Sequence, residues 1–252
     1  MKALLRHPVR VVARLLWMIA EFTIAALNYA RWCGLSKNCT GAMRAAWLQH
    51  SSSRMLRIFR TEIQTHGTVP KSGLLVSNHL SYLDILVIAS ITPAMFVAKR
   101  EVRSWPVFGF FAKLAGTLFV DREHRSRVGQ TTNEIQSALD EDALVVLFPE
   151  GTSSNGETVL PFKSSLLEPA TRQTHSLFAD LIQYQLDDGD VGEEICYWKD
   201  MTLVPHLINL MSKRSIRASV RFTQLRESST DRKELARQLH SEILRLKEAP
   251  AF

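Results

Sequence analysis

From about residue 60 onwards, short runs of apolar and β-branched residues alternate with segments of helical periodicity. This alternation is typical of an α/β fold, in which helices cover the faces of one sheet. The runs predicted as strands are Leu74–Ser77, Met95–Ala98, Thr117–Val120, Leu144–Phe148, Leu177–Gln185 and Ile216–Phe222. The segments predicted as helices are Asp84–Ile91, Pro106–Leu114, Arg127–Leu139, Lys163–Thr171, Met201–Met211 and Asp231–Lys247. We therefore expect an α/β fold with a mixed sheet flanked by helices.

The chain of 252 residues is long enough for one sizeable core, and no linker divides it. We expect one main domain at residues 60–252, preceded by a helical extension at residues 1–59. A net charge of +6 favours an anionic partner: a membrane surface, a phosphorylated substrate or a nucleic acid. The sequence contains no nucleic-acid recognition motif, so we expect no nucleic-acid partner.

The first half of the N-terminal segment is predicted to be an amphipathic helix at Val11–Ala30. At about 100° per residue, its polar residues share one face: Arg10, Arg14, Glu21 and Asn28. The opposite arc is apolar and includes Val12, Leu16, Ile19 and Leu27. A charge near the bilayer centre costs roughly 2.5 to 3.5 kcal/mol, so two charges disfavour a membrane span.

We expect this helix to lie in the membrane interface instead. Its basic residues would then face anionic head groups: Lys2, Arg6, Arg10 and Arg14. A cleaved signal peptide and a soluble helix packed on the core are alternatives that the sequence leaves open. A second amphipathic stretch, Met43–Phe59, follows and completes a helical platform before the main domain.

The cysteines are Cys33, Cys39 and Cys196, and their spacing matches no metal-binding or redox motif. We therefore expect reduced, non-catalytic thiols in a reducing compartment. The acidic run 187–194 lacks the order of ligands found in a calcium loop, and we expect no metal site.

The strand predicted at Leu74–Ser77 runs directly into Asn78-His79 and, after four more residues, Asp84. A histidine at a strand end lies at the edge of the sheet where α/β proteins place their crevices. If His79 precedes the helix that contains Asp84, the carboxylate can curl back to one ring nitrogen and leave the other as a base. By itself the spacing is a weak signal, because a histidine that caps the helix gives the same pattern.

Two further strand ends carry residues suited to binding an anion. The run Leu144–Phe148 leads into Pro149-Glu150-Gly151-Thr152, a turn whose backbone N–H groups can bind an oxyanion. The strand at Thr117–Val120 brings Arg122 to its end, where a guanidinium fork fits a phosphate or carboxylate.

These blocks, in this order, resemble the lysophospholipid acyltransferase family typified by 1-acylglycerol-3-phosphate acyltransferases. The family blocks are Asn-His-x4-Asp, a strand ending in Arg, Phe-Pro-Glu-Gly-Thr and a late strand with Pro, which Leu203–Pro205 matches only loosely. The resemblance implies that His79 is the general base and that Asp84 orients it. It implies substrate-binding roles for Asn78, Arg122, Glu150, Gly151, Thr152 and Lys163, although Lys163 also suits a solvated helix start.

The resemblance also implies an O-acyltransferase that moves a fatty acyl group to the hydroxyl of a lysolipid. Its donor would be an acyl carrier protein or coenzyme A thioester, with no cofactor. Both donors are cytosolic, so we expect the enzyme at the cytosolic face of the membrane. A non-catalytic lipid-binding membrane protein is the alternative of another class, and the intact His79 and Asp84 disfavour it.

The acceptor stays open between a lysophosphatidate and a lyso-ornithine lipid. Family members that act on phosphatidic acid precursors commonly have Arg after the Phe-Pro-Glu-Gly-Thr run, whereas this chain has Ser153. The segments Val159–Lys163 and Tyr197–Met201 are more similar to members that acylate lyso-ornithine lipids.

Overall fold

The computed structural model describes residues 7–36, 38–121 and 125–248, with side chains throughout except at residues 125–128. The α-helices are α1 (Pro8–Tyr29), α2 (Gly41–Ile58), α3 (Leu83–Ile91), α4 (Phe108–Leu114), α5 (Arg125–Asp140), α6 (Glu168–Thr171), α7 (Val191–Glu194), α8 (Leu203–Ser212) and α9 (Arg232–Glu248). The strands are β1 (Thr61–His66), β2 (Gly73–Ser77), β3 (Met95–Lys99), β4 (Leu118–Val120), β5 (Leu144–Leu147), β6 (Leu177–Gln185) and β7 (Ile216–Leu225). Ala30–Gly34 is a π-helical turn, and Arg100–Ser104 and Ser164–Leu166 are 3-10 helices.

The seven strands form one mixed sheet in the order β1-β7-β6-β2-β5-β3-β4. Neighbours are parallel except β6 and β7, which are antiparallel. The central strands β2 and β5 are buried along their whole length, which explains why their sequences are continuous apolar runs. Their carboxyl ends lie side by side, since Val76 pairs with Leu147.

Helices cover both faces of the sheet. On one face, α2, α3 and α8 contribute buried side chains to a core that includes Ile58, Ile88 and Leu210. On the other, α5 and α9 contribute Ile135 and Leu239 to a second core. The predicted α/β fold with a mixed sheet flanked by helices is confirmed.

Two details differ from the sequence predictions. Strand β1 was not predicted, because its side chains are polar and mostly exposed at the sheet edge, so no apolar run indicates it. The segment Leu203–Pro205, compared above with a late strand, instead forms the first turn of α8. Proline is tolerated there because the first turn of a helix needs no intrahelical N–H donors.

Helix α1 is amphipathic as predicted, but its polar face packs against the rest of the protein. Arg14 is 6% exposed and donates to the carbonyls of Met211 over 3.0 Å and Arg214 over 3.1 Å, and Arg10 donates to Ser212 over 2.7 Å. The carbonyls of Met211 and Ser212 belong to the C-terminal end of α8, where cations are favourable, and Arg214 follows just after it. The prediction that Arg10 and Arg14 face head groups is therefore wrong, while Lys2 and Arg6 lie outside the described residues.

Glu21 is the second buried charge on α1. Its carboxylate accepts from Arg54 of α2 over 2.7 Å and 3.0 Å and from the Trp17 indole over 2.9 Å. A further hydrogen bond joins the Trp47 indole of α2 to the carbonyl of Ala25. The charges that interrupt the apolar sequence are thus paired within the protein.

The apolar arc of α1 is exposed. The large apolar side chains on its surface are Val9, Val12, Leu16, Trp17, Ile19 and Leu27. Leu16 is 64% exposed and Ile19 is 59% exposed, which is unusual for a contiguous apolar strip in water. The helical stretch Pro8–Gly34, with 27 residues, is long and apolar enough to cross a membrane by length and composition.

After α1 the chain turns at a disulfide between Cys33 and Cys39. The prediction that all three cysteines are reduced is wrong for this pair, because the turn brings together two thiols whose sequence spacing gives no signal. Cys196 is a free thiol and is buried. Cysteine usage therefore gives no support for a reducing compartment.

Candidate active site

The candidate active site lies at the carboxyl ends of β2 and β5. The loop after β2 carries His79, and the turn after β5 carries Glu150 and Gly151. The two segments contact each other directly, since the N–H of Ser154 donates to the carbonyl of His79 over 3.0 Å. Adjacent parallel strands thus bring together two motifs that are far apart in the sequence.

His79 and Asp84 are in contact in the geometry that the sequence predicted. His79 precedes α3, and its Nδ1 lies 2.8 Å from Oδ2 of Asp84 in the first turn of that helix. An ionised carboxylate only accepts, so Nδ1 carries the proton and Nε2 is left as the base. Phe148 stacks against the imidazole with ring centroids 4.2 Å apart and fixes the plane of the ring.

Asp84 is fully buried, and its carboxylate is held by donors besides His79. Oδ2 also accepts from the N–H groups of Leu80 over 2.6 Å and Ser81 over 2.9 Å. Oδ1 accepts from the hydroxyl of Tyr184 on β6 over 2.7 Å. Burial, and then the nearby Asp84, raise the pKa of Tyr184 well above its usual value, so this hydroxyl keeps its proton.

Tyr184 is a site residue that the sequence analysis missed. It lies a hundred positions from Asp84 in the chain and belongs to no recognisable block, so only the pairing of β2 with β6 brings the two together. Tyr184 lies two residues after Ile182 in a buried strand, and this spacing is its sole sequence signal. The spacing predicts a side chain packed in the core.

Asn78 and Glu150 hold the loop that carries His79. The side chain of Asn78 donates to the carbonyl of Ile182 over 3.1 Å and accepts from its N–H over 2.8 Å. Glu150 accepts from the N–H of His79 over 2.7 Å and from the N–H of Leu160 over 3.0 Å. Both side chains are almost fully buried, so this geometry indicates that they position the loop; their predicted contact with a substrate stays a prediction.

Burial raises the pKa of Glu150 to about 7, against the two backbone hydrogen bonds, which lower it. In its ionised form the carboxylate accepts from both N–H groups at once. A protonated carboxyl group has an O–H donor, and an N–H group cannot accept a hydrogen bond from it. The position of the His79 loop is therefore coupled to the ionisation of Glu150.

The turn after Glu150 offers backbone donors beside His79. The N–H of Gly151 is already used, because it donates to the carbonyl of Phe148 over 3.1 Å. Within the described part of the chain, the N–H groups of Thr152 and Ser153 donate to no protein acceptor. Gly151 adopts φ of 75°, a conformation that favours glycine.

A cavity of about 400 Å³ opens beside His79. This is within the size range of ligand pockets, about 300 to 1,000 Å³. Its walls are mainly apolar and come from α1, α2, α3 and α4 as well as the sheet; they include Phe22, Trp47, Met55, Phe96, Phe111 and Ala115. His79, Gly151, Thr152 and Ser153 stand at one part of the wall, so an apolar chain can fill the cavity while a polar group meets His79.

The remaining predicted residues lie elsewhere. Lys163 is exposed and lines a small separate depression with Phe148 and Pro149, not the large cavity. Arg122 lies outside the described residues. The roles predicted for both stay predictions.

Comparisons with known proteins agree with this geometry. The sequence profile described as Acyltransferase matches residues 60–183, which include both motifs. A lyso-ornithine lipid O-acyltransferase of Brucella abortus is 36% identical over 203 residues, which cover 74% of this chain and 76% of the relative. The chain belongs to the lysophospholipid acyltransferase family. As a member of this family, it is an acyltransferase that acts on lysolipids.

Another relative of this acyltransferase is a 1-acyl-sn-glycerol-3-phosphate acyltransferase of Neisseria gonorrhoeae. It is 32% identical over 143 residues, which cover 53% of this chain and 56% of the relative. The crystal structure of the 1-acyl-sn-glycerophosphate (LPA) acyltransferase, PlsC, from Thermotoga maritima has the same fold. The TM-score is 0.60 at 17% identity, and the match covers 96% of this acyltransferase and 100% of the other chain.

Proposed function

We propose that this enzyme transfers a fatty acyl group from a thioester to the hydroxyl of a lyso-ornithine lipid. The observation that carries the proposal is the extent of similarity to the Brucella abortus relative, which covers 74% of the chain, against 53% for the Neisseria relative. Ser153 supports it, because a serine stands where a phosphate-binding arginine is common in the family. A lysophosphatidate acceptor is the second candidate, supported by the Neisseria relative.

The reaction begins at His79. Its Nε2 takes the proton of the acceptor hydroxyl while the hydroxyl oxygen attacks the thioester carbonyl carbon. The N–H groups of Thr152 and Ser153 donate to the oxyanion that develops. When the intermediate collapses, the carbon–sulfur bond breaks, the thiolate leaves, and the proton held by His79 passes to it. No covalent enzyme intermediate and no cofactor are required.

The large cavity holds the acyl chain of the donor in this proposal. The donor is a thioester of acyl carrier protein or coenzyme A, which places the reaction at the cytosolic face of a membrane. The exposed apolar arc of α1 rests in the membrane interface. On the opposite face, Arg54 pairs with Glu21, and the Met211 carbonyl of α8 accepts from Arg14, which lowers the cost of placing this helix against lipid.

Acceptor profiling tests the proposal. Purified full-length protein is given a labelled acyl donor with lyso-ornithine lipid or lysophosphatidate, in matched detergent micelles, and the product is identified by mass. We expect transfer to lyso-ornithine lipid with a kcat/KM at least roughly tenfold above that for lysophosphatidate, and no transfer by His79→Ala. The reverse preference would establish the second candidate.

The thioester is varied in the same assay, with one acyl group carried by acyl carrier protein or by coenzyme A. Transfer from either establishes thioester chemistry. If neither thioester supports transfer to any lysolipid, the proposed donor class is wrong.

A further inference from the structure

The segment Tyr197–Lys199 bridges the two loops of the active site at the mouth of the cavity. The N–H of Tyr197 donates to the carbonyl of Leu80 over 2.8 Å, next to His79. The carbonyl of Tyr197 accepts from the hydroxyl of Ser153 in the other loop. The segment therefore has a fixed position relative to both the base and the backbone donors.

Aromatic contacts extend this anchoring. The ring of Tyr197 lies against Tyr82 and His206, with centroids 5.6 Å and 5.3 Å away, and the indole of Trp198 donates to the carbonyl of Gly192 over 2.9 Å. Burial lowers the pKa of His206 to about 4, so this imidazole is neutral at physiological pH. The packing behind the segment thus brings no positive charge from His206.

The charge of the segment comes from Lys199. Its ammonium nitrogen lies 3.7 Å from the centroid of the Trp198 ring, and both side chains line the cavity that contains His79. Lys199 adopts φ of 51°, a conformation that non-glycine residues rarely take. Because Lys199 already occupies this face of Trp198, the ring attracts no second cation there, whereas the ammonium protons can donate to an anion.

We propose that Tyr197–Lys199 is the acceptor-recognition element and that Lys199 binds the carboxylate of an amino-acid head group. This inference rests on the acceptor proposed above and names the contact that selects it. When ornithine is joined to a fatty acid through its α-amine, its α-carboxylate stays free and carries a single negative charge. The single ammonium group of Lys199 at the cavity mouth matches that charge. Ser153 helps to position Lys199, because its hydroxyl donates to the carbonyl of Tyr197 in the same segment.

The test compares lyso-ornithine lipid with its carboxyl methyl ester as acceptors for the full-length enzyme, with a saturating acyl thioester. The ester keeps the acyl chain and the side-chain amine of ornithine but replaces the carboxylate with a neutral group that is one methyl larger. We expect wild type to use the free carboxylate with a kcat/KM roughly tenfold or more above that of the ester. Lys199→Ala should remove the preference by lowering the rate with the free carboxylate, with the KM of the donor unchanged.

Two further variants separate charge from structure. Lys199→Arg keeps the positive charge and should restore most of the preference. Lys233→Ala removes an exposed lysine of α9 that does not line the cavity, and should keep the wild-type ratio. Ser153→Ala should weaken the preference without changing the KM of the donor, because Tyr197 loses one of its two anchors.

A Lys199→Ala enzyme that still prefers the free carboxylate would overturn the inference, as would a wild type that uses both acceptors equally. If wild type acylates neither of them but acylates lysophosphatidate, the proposed acceptor fails and the inference falls with it. These outcomes differ in which enzyme and which lipid show activity, so the two failures are distinguishable.

Discussion

At the scale of single residues, the geometry of His79 depends on Asp84, which presents one oxygen to the imidazole and is itself held by other donors. His79→Ala should abolish transfer in purified, folded protein, because among the described residues that line the cavity no other side chain is an imidazole or a carboxylate that could take the acceptor proton. Asp84→Asn should leave a small residual rate. Near-normal turnover of His79→Ala would exclude this histidine as the base.

The two variants should differ in stability. His79 is partly exposed, so its loss should change the unfolding free energy little. Asp84→Asn places an amide among buried donors and should destabilise the fold by roughly 1 to 3 kcal/mol. Chemical denaturation of both variants measures this difference.

Tyr184→Phe tests whether the second oxygen of Asp84 must be held. The substitution keeps the ring and removes the 2.7 Å hydrogen bond. We expect kcat to fall about tenfold while both KM values change little, because Asp84 can rotate away from Nδ1 of His79. A variant with lower thermal stability but wild-type kcat would show that Tyr184 only supports the core.

Glu150 makes the stability of the fold depend on pH. Its pKa is about 7 in the folded protein and near 4.5 when unfolded. The folded state binds the proton more tightly, so this contribution to stability is present below about pH 4.5 and is lost as the pH rises through about 7. The total loss is roughly 3 kcal/mol.

Glu150→Gln cannot ionise and should lack this loss. From about pH 4.5 to about pH 8, the unfolding free energy of wild type should fall by roughly 3 kcal/mol relative to that of the variant, as measured by urea denaturation. Glu157→Gln, at an exposed position, is the control. A wild type that gains stability relative to Glu150→Gln as the pH rises would contradict the raised pKa of Glu150.

At the scale of elements, the exposed arc of α1 predicts how the enzyme binds a membrane. Changing Leu16 and Ile19 together to Glu should weaken binding to lipid vesicles at least roughly tenfold, because each buried apolar side chain contributes about 1.5 to 3 kcal/mol. Vesicle sedimentation measures the effect. Leu244→Glu, at an exposed leucine of α9, should bind like wild type.

The charged face of the same helix should respond differently. Arg14→Ala leaves three α8 and post-α8 carbonyls without their donor and should lower the unfolding free energy in detergent. Leu16 and Ile19 variants should unfold like wild type. If Arg14→Ala released the protein from vesicles without destabilising it, that result would support the lipid-facing orientation that the sequence predicts for Arg14.

Local patterns predicted the elements well where burial is uniform. Strands β2 and β5 are apolar throughout because they are covered on both faces. The edge strand β1 is mostly exposed, so it has no apolar run from which it could be predicted. Periodicity showed that α1 has two faces but not which face meets the protein. That depends on the carbonyls of α8, which lie about two hundred residues away in the chain.

The same limit applies to the active site. The pair His79 and Asp84 could be predicted because both residues lie in one short segment. The contacts of Asn78, Glu150 and Tyr184 with other strands or loops depend on the order of strands in the sheet, which the spacing of residues does not encode.

At the scale of the whole molecule, the cavity is formed between the helices α1 and α2 on one side and the sheet with α3 and α4 on the other. Ala115 lies in its wall with Ala25 of α1 and Trp47 of α2. Ala115→Phe should fill part of the space and shift the preference toward shorter acyl donors, as measured by initial rates over a series of chain lengths. If a folded Ala115→Phe variant kept the wild-type preference for acyl chain length, the acyl chain would have to lie outside this cavity.

Helix α1 contributes Met18, Phe22 and Ala25 to the cavity wall and presents Leu16 and Ile19 on its outer side. If that outer side rests in lipid, the two substrates arrive from different phases: the thioester by diffusion in three dimensions, and the lysolipid by diffusion within a leaflet. Turnover would then depend on the mole fraction of lysolipid in the surface rather than on its bulk concentration. Adding inert lipid at constant total lysolipid would slow the enzyme by dilution alone.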